Sequence, residues 1–207
     1  MILADVGNRS IHIYEDDSVV DLSLEDAIEY FSSQKLYYIC VNSKADEKIQ
    51  RYTIWENISE YIKLEGEYNG MGVDRKALCL SRGDGIYLDA GSAITIDKVK
   101  NGKYVGGMIF PGIYSYQKAY ETISEKLLFD PEELNKMFQK NLPKETKKQI
   151  AFSILNPILE SVKSMREDLP LYVTGGDRLL FASLIEDANM SNKFIFEGII
   201  KSLEKNR

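Results

Sequence analysis

A single histidine and two cysteines in 207 residues leave this sequence poor in the side chains that hold transition metals or run nucleophilic triads. Cys40 and Cys79 sit in separate apolar runs, YYICV and ALCLS. With no CxxC and no Cys/His cluster, they argue against structural zinc and read as small buried hydrophobes in a reducing compartment. His12 alternates with Ile11 and Ile13, as a strand residue does. Without a GxSxG elbow or a nucleophilic cysteine, it reads as a strand or nucleotide-contact residue rather than a catalytic base. No apolar run approaches the ~20 residues that span a bilayer. The opening MILADVG has neither a basic n-region nor a small-residue cleavage site, so a cytoplasmic protein without a membrane partner is expected. Positive charge is also scarce: 26 Lys and Arg stand against 32 Asp and Glu, a net charge of −6. The densest basic run, KETKKQ at 144–149, reads as a solvated helix start, so nucleic acid is not an expected partner.

What is present is a repeated phrase. ILADVGNRSIHI at 2–13 and IYLDAGSAITIDKV at 86–99 both run apolar residues into Asp-x-Gly and out again into an alternating apolar run. Each reads as strand, tight turn, strand. After the first come a short strand (SVVDL), a helix opened by Ser23 in a capping-box relation to Asp26, and a strand (LYYICVN). Residues 45–52 suit a helix, and YTIWENISEYIKL fits strand or helix. After the second come a hairpin turn at Asn101-Gly102-Lys103, the strand YVGGMIF and a helix following Pro111-Gly112. A long amphipathic helix over 144–168 is threatened with a kink at Pro157. LPLYVTGGD then reads as a buried strand ending in a glycine turn, before a helical carboxy-terminal segment. Two copies of one α/β module are expected, residues 1–82 and 83–207, with the two Asp-x-Gly turns opposite one another over a cleft. Asp and Gly are also ordinary turn residues, so a lone Asp-x-Gly is weak; two in matched contexts, with a third glycine turn at Thr174-Gly175-Gly176-Asp177, are stronger.

Glycine turns let backbone N–H groups approach phosphate oxygens. A neighbouring carboxylate cannot bind phosphate itself but can hold a cation that bridges to it. Paired turns of this kind describe a site for a nucleoside triphosphate with metal, and neither GxGxxG nor GxxxxGK[ST] is present. Asn8, Ser10 and Ser92 add short hydrogen-bonding side chains. A further cluster, Glu67-Tyr68-Asn69-Gly70-Met71-Gly72-Val73-Asp74-Arg75, sets a carboxylate directly before a guanidinium. The pair suits a base for an attacking alcohol and a fork for an anionic group, or a plain cap for a helix beginning at Arg75.

Together these residues resemble the type III pantothenate kinases, members of the acetate kinase and actin superfamily. The resemblance runs through Asp5-Val6-Gly7-Asn8, Tyr68 with Gly72-Val73-Asp74-Arg75, Asp89-Ala90-Gly91-Ser92-Ala93-Ile94-Thr95, Gly106-Gly107-Met108-Ile109-Phe110-Pro111-Gly112 and Thr174–Asp177. It implies two ribonuclease H-like subdomains, of the actin-like ATPase kind, facing each other across a nucleotide cleft. It also implies ATP-dependent phosphorylation of pantothenate to 4′-phosphopantothenate, the first step toward coenzyme A. By the same resemblance, Asp5, Val6, Gly7, Asn8, Arg9, Ser10, Ile11 and His12 form the first ATP phosphate loop, Asp5 acts near Mg²⁺, and Ser92 contacts ATP. Asp74 is the general base; Tyr68, Gly72, Val73, Asp74, Arg75 and Thr146 bind pantothenate; Asp89 holds a monovalent cation, K⁺ or NH₄⁺. The Thr174–Asp177 turn lies near the adenosine, and a homodimer is implied.

Two positions depart from the family pattern: Arg9 stands where Thr follows DxGN, and Ser92 replaces the commoner Thr of DxGT. Two other functions share these features. One is a kinase for another small acceptor, because fold alone does not select the acceptor; the other is a non-catalytic regulatory accessory protein. Tyr114, Tyr116 and Tyr120, at helical spacing, suit either an interface or a core.

Overall fold

The structure, a computed structural model, describes residues 1–205. Its strands are β1 (Ile2–Val6), β2 (Ile11–Glu15), β3 (Ser18–Leu22), β4 (Leu36–Cys40), β5 (Glu56–Asn57), β6 (Gly85–Ala90), β7 (Ala93–Lys100), β8 (Lys103–Pro111), β9 (Leu171–Thr174) and β10 (Ala188–Met190). Its helices are α1 (Leu24–Phe31), α2 (Ser43–Tyr52), α3 (Val73–Leu80), α4 (Ile113–Ile123), α5 (Leu134–Met137), α6 (Thr146–Arg166), α7 (Arg178–Leu184) and α8 (Phe194–Lys205). The chain forms two compact units. The first holds residues 1–83, 100–104 and the segment from Asn192; the second holds 84–99 and 105–191. The compact units therefore cut the chain differently from a single division after residue 82.

In the first unit the sheet runs β3-β2-β1-β4-β5. β1 pairs antiparallel with β2 and parallel with β4, so it lies at the centre and is buried along its whole length. Side chains alternate across a strand. Ile2, Ala4 and Val6 pack with Ala27 of α1 and Ala45 and Ile49 of α2. Leu3 packs with Val73 and Ala77 of α3 and Phe196 and Ile199 of α8. Asp5 falls on that second face. Ser23 caps α1 by accepting the Asp26 N–H, and Asn42 caps α2 by accepting that of Ala45. The β2–β3 hairpin turns through Asp16 and Asp17, both at positive φ, the twist a two-residue hairpin needs.

In the second unit the order β10-β9-β6-β7-β8 repeats that plan. β6 is central, antiparallel to β7 and parallel to β9. Ile86, Leu88 and Ala90 pack with Ile94, Ile96 and a stripe of α6 that includes Ile150, Ile154, Leu155 and Ile158. Asn101 and Gly102, at φ 55° and 73°, make the turn into β8. α6 continues through Pro157 as one helix, without the one backbone donor that proline lacks.

Three local expectations change. α3 begins at Val73 with Gly72 at its cap, so Asp74 and Arg75 lie within its first turn instead of ahead of it. YTIWENISEYIKL is neither long strand nor helix, but the two-residue β5 followed by a 3₁₀ turn, Ser59–Tyr61. Cys40 is half-buried while Cys79 is fully buried; burial pushes the Cys40 thiol up, away from thiolate chemistry.

Candidate functional site

Asp5 is the penultimate residue of β1, and Asp89 holds the same place in β6. In the first unit the turn after Asp5 is closed by the Gly7 N–H to the Ser10 carbonyl at 3.1 Å. Asn8 and Arg9 are exposed at its tip, and Ser10 is half-buried. Register places Asp5 opposite His12 and His12 opposite Asp21. Directly opposite residues share a face, so Asp5, His12 and Asp21 form a polar row across β1, β2 and β3. His12 Nδ1 lies 2.5 Å from Asp21 Oδ1, and His12 Nε2 lies 3.5 Å from Ser10 Oγ.

The first turn of α3 carries the second group. Arg75 is 7% exposed. Its guanidinium donates to the Tyr68 hydroxyl at 2.7 Å and the Tyr104 hydroxyl at 3.3 Å, and it lies over the Tyr68 ring. Asp74 Oδ1 accepts the Arg75 backbone N–H at 2.8 Å. A Cβ on Gly72 would stand 2.5 Å from that oxygen, so only glycine at 72 lets the carboxylate fold back over the helix start. The segment bearing Tyr68 is anchored by Glu67, which accepts the Leu64 N–H and pairs with Lys76 at 2.7 Å. Burial alone would raise the Glu67 carboxyl. The Lys76 hydrogen bond, the Leu64 N–H and the nearby Lys charges outweigh it and hold the group below the usual carboxylate range.

In the second unit three glycine turns close on one another. The Gly91 N–H reaches the Ala93 carbonyl, the Gly112 N–H the Ser92 carbonyl at 3.2 Å, and the Asp177 N–H the Ala90 carbonyl at 2.9 Å. A side chain at Gly112 would stand 2.5 Å from the Gly91 carbonyl oxygen. One at Gly175 (φ +90°) would stand 2.5 Å from Asp89 Oδ1. Asp89 lies opposite Thr95 on β7 and Thr174 on β9, which puts three oxygen-bearing side chains on one face. Thr95 is 8% exposed, and its hydroxyl is buried with no hydrogen-bond partner among the described residues. Ser92 is exposed at the turn, and Thr146 is exposed at the first position of α6. Among the described residues no cluster of three His, Cys, Asp or Glu could hold a metal ion.

Sequence reasoning named Tyr68, Gly72, Asp74 and Arg75, which the fold brings together, but missed Tyr104 and Asp21 and gave Thr95, the last residue of the Asp89 motif, no role. Asp21 meets His12 and Thr95 meets Asp89 through strand register, whereas Tyr104 meets Arg75 through a loop contact held by its N–H to the Glu65 carbonyl.

A family model described as type III pantothenate kinase matches residues 41–168. A type III pantothenate kinase of Campylobacter jejuni (strain RM1221) is 33% identical over 207 residues, covering 100% of this chain and 98% of that protein. A crystal structure from Campylobacter jejuni, described as a conserved Baf family transcriptional activator, superposes with a TM-score of 0.87 at 32% identity, covering 100% of this chain and 98% of the other. Component A of the Acidaminococcus fermentans (R)-2-hydroxyglutaryl-CoA dehydratase shares the fold at a TM-score of 0.51 and 12% identity, over 98% of this chain and 95% of that one. Such likenesses, together with the repeated sheet order, identify two ribonuclease H-like subdomains of the actin-like ATPase fold. With a family model covering most of its length and a relative aligned from end to end, this chain belongs to the type III pantothenate kinase family.

Proposed function

We propose that this chain transfers the γ-phosphoryl group of ATP to the alcohol of pantothenate, giving 4′-phosphopantothenate in the first step of coenzyme A synthesis, with Asp74 as general base. The observation that carries the assignment of roles is the first turn of α3. There a carboxylate is fixed on the helix start beside a buried guanidinium already gripped by two phenols. Phosphoryl transfer asks a protein mainly for positioning and charge compensation. Asp74 takes the hydroxyl proton, and Arg75 receives the acceptor's carboxylate in its planar fork. Tyr68, Gly72 and Val73 shape that end of the site, and Thr146 closes it. The phosphate loop runs from Asp5 to His12. Residues 83–207 supply Ser92 and the cation site.

ATP brings a divalent metal with it. Mg²⁺ is commonly held by one or two carboxylates plus substrate phosphates, and Asp5, at the mouth of the first turn, suits that role. The monovalent cation is assigned to Asp89. The residues fit such an ion: Thr95 presents a buried hydroxyl, with no hydrogen-bond partner among the described residues, opposite that carboxylate. K⁺ bound there adds positive charge beside the phosphates. Replacing K⁺ by Na⁺ is expected to lower turnover about tenfold, some 1.4 kcal/mol. In Asp89→Asn the rate should become low and indifferent to which ion is present. Steady-state rates in matched chloride salts check this, and an undiminished K⁺ response in the variant would remove Asp89 from the cation site.

A homodimer is supported by β8, an edge strand of its sheet that leaves Val105, Met108 and Ile109 exposed, Ile109 at 61%. Unpaired apolar edges favour association. Tyr116 and Tyr120 pack against the second unit's core, whereas Tyr114 is exposed. Light scattering should give about twice 23.6 kDa, and Ile109→Lys should return the monomer mass.

ADP release coupled to a reporter, with pantothenate as acceptor, tests the reaction itself. Turnover with pantothenate and none with hexoses or acetate is the expected result. The resemblance to a protein described as a transcriptional activator favours a second reading, a regulatory role without catalysis. It would be supported by nucleotide binding with no ADP release. No helix among the described residues is long and apolar enough to cross a membrane.

A further inference from the structure

Arg75 carries its charge at 7% exposure, and a buried charge must be met by acceptors. Tyr68 meets it from the loop ahead of α3, accepting from Nη1 at 2.7 Å with its ring under the guanidinium. Tyr104 meets it from a distant part of the chain, accepting from Nη2 at 3.3 Å. The five N–H groups of a guanidinium lie in one rigid plane. A single contact leaves that plane able to turn about it. A second contact, on the other terminal nitrogen, fixes the direction of every other N–H.

Tyr104 is itself held by main chain. Residues 100–104, the tip of the β7–β8 hairpin, belong to the compact unit that contains α3. The Tyr104 N–H donates to the Glu65 carbonyl at 2.7 Å. Gly66, at φ +82°, lets the two segments meet, since a Cβ there would stand 2.7 Å from the Tyr104 carbonyl oxygen. The Tyr104 ring also packs beside that of Tyr68, with 6.1 Å between centroids. The outer Lys103–Glu65 pair, with side chains 60% and 65% exposed, adds little by comparison. A hydroxyl anchored in this way directs the guanidinium and does not follow it.

We propose that Tyr104 is a positioning residue that sets the Arg75 fork, and that it thereby selects for acceptors ending in a carboxylate. The proposal rests on reading Arg75 as the receptor of that group. A carboxylate matches the fork in parallel, bidentate geometry, so an acceptor of that kind gains from a guanidinium whose plane is fixed. An acceptor ending in an uncharged alcohol makes no such pair and gains nothing from it. Tyr104 therefore acts on how the acceptor's tail is held, not on the proton that Asp74 takes, and its signature belongs in KM.

Tyr104→Phe removes the hydroxyl and keeps the ring and the main-chain bond, so its circular dichroism should match the wild type. KM for pantothenate should rise roughly three- to tenfold, the range of one hydrogen bond, with kcat and KM for ATP within about twofold. For the pantothenate analogue with a hydroxymethyl group in place of the carboxylate, followed as substrate or as competitor, the constant should stay within about twofold. A merely loosened site would weaken both acceptors alike. Gly66→Ala, which displaces Tyr104 without touching its phenol, should show the same selective loss, and Lys103→Ala should not. In an Arg75→Ala background, Tyr104→Phe should add nothing further, because the group it positions is gone. Equal weakening of both acceptors by Tyr104→Phe, or a full additive effect on top of Arg75→Ala, would overturn the proposal. If Arg75→Ala penalises pantothenate selectively while Tyr104→Phe leaves it unchanged, the role of Tyr104 is wrong and the Arg75 reading stands. If Arg75→Ala weakens both acceptors equally, the Arg75 reading fails and the proposal with it.

Discussion

Replacing Asp74 by asparagine is expected to lower kcat for pantothenate phosphorylation by ~10²–10⁴, the range for a lost general base, while the Kd for MgADP stays within about twofold. The substitution is close to isosteric. Asn keeps an oxygen able to accept the Arg75 N–H that Asp74 Oδ1 accepts now, so the start of α3 and the grip of Tyr68 and Tyr104 on Arg75 should survive. What disappears is an anionic oxygen that can take up the alcohol proton. The expected loss is therefore in kcat rather than in KM, because Arg75, Tyr68 and Val73 still bind the acceptor. Removing the fork instead, in Arg75→Ala, should move KM for pantothenate first. Steady-state kinetics on the two variants separate base from receptor. A near-normal kcat in Asp74→Asn would take the base role from Asp74 altogether.

That the two variants can be assigned opposite signatures depends on geometry the chain shows only in part. Two Asp-x-Gly hairpins were legible because their determinants are local: alternating apolar residues, turn-forming residues and the Asn101-Gly102 signal. The same locality fails at Gly72. A helix start is read from a side-chain cap, and Gly72 has none, so Asp74 looked like the cap when it lies one residue inside the helix. The purpose of Gly112 and Gly175 was likewise out of reach. Each could be quoted as part of a motif, yet the carbonyls and the carboxylate that forbid a side chain there come from turns many residues away. Tyr104 is the extreme case. It takes part in the acceptor group only because the Tyr104 N–H bonds the Glu65 carbonyl at 2.7 Å and Gly66 leaves room for its backbone. No periodicity in the sequence encodes that contact.

The docking of α8 against α3 is a second nonlocal fact, and it carries the largest expected effect on folding. Gly198 of α8 is buried against the backbone of Ala77 in α3, and a side-chain carbon there would overlap the Ala77 carbonyl. Backbone cannot swing away as a flexible side chain can, so Gly198→Ala must push the helices apart. Separation would loosen Phe196 and Ile199 from Val73, Ala77 and Leu3, the packing that seats α3 on the sheet. Overpacking typically costs 1–3 kcal/mol. Here the obstacle is main chain and the whole helix pair must shift, so about 3 kcal/mol or more is expected. For a chain of 207 residues that lowers Tm by roughly 6–12 °C, readable by calorimetry or circular dichroism. The helix propensity gained by replacing Gly, about 1 kcal/mol, works in the opposite direction. An unchanged or raised Tm would mean that α8 does not approach α3 this closely. The consequence reaches the chemistry, because α3 carries Asp74 and Arg75 on its first turn. Below the new Tm the variant should bind pantothenate more weakly although no acceptor contact has been altered, since the fork and the base are aimed by the helix that Gly198 allows to sit down.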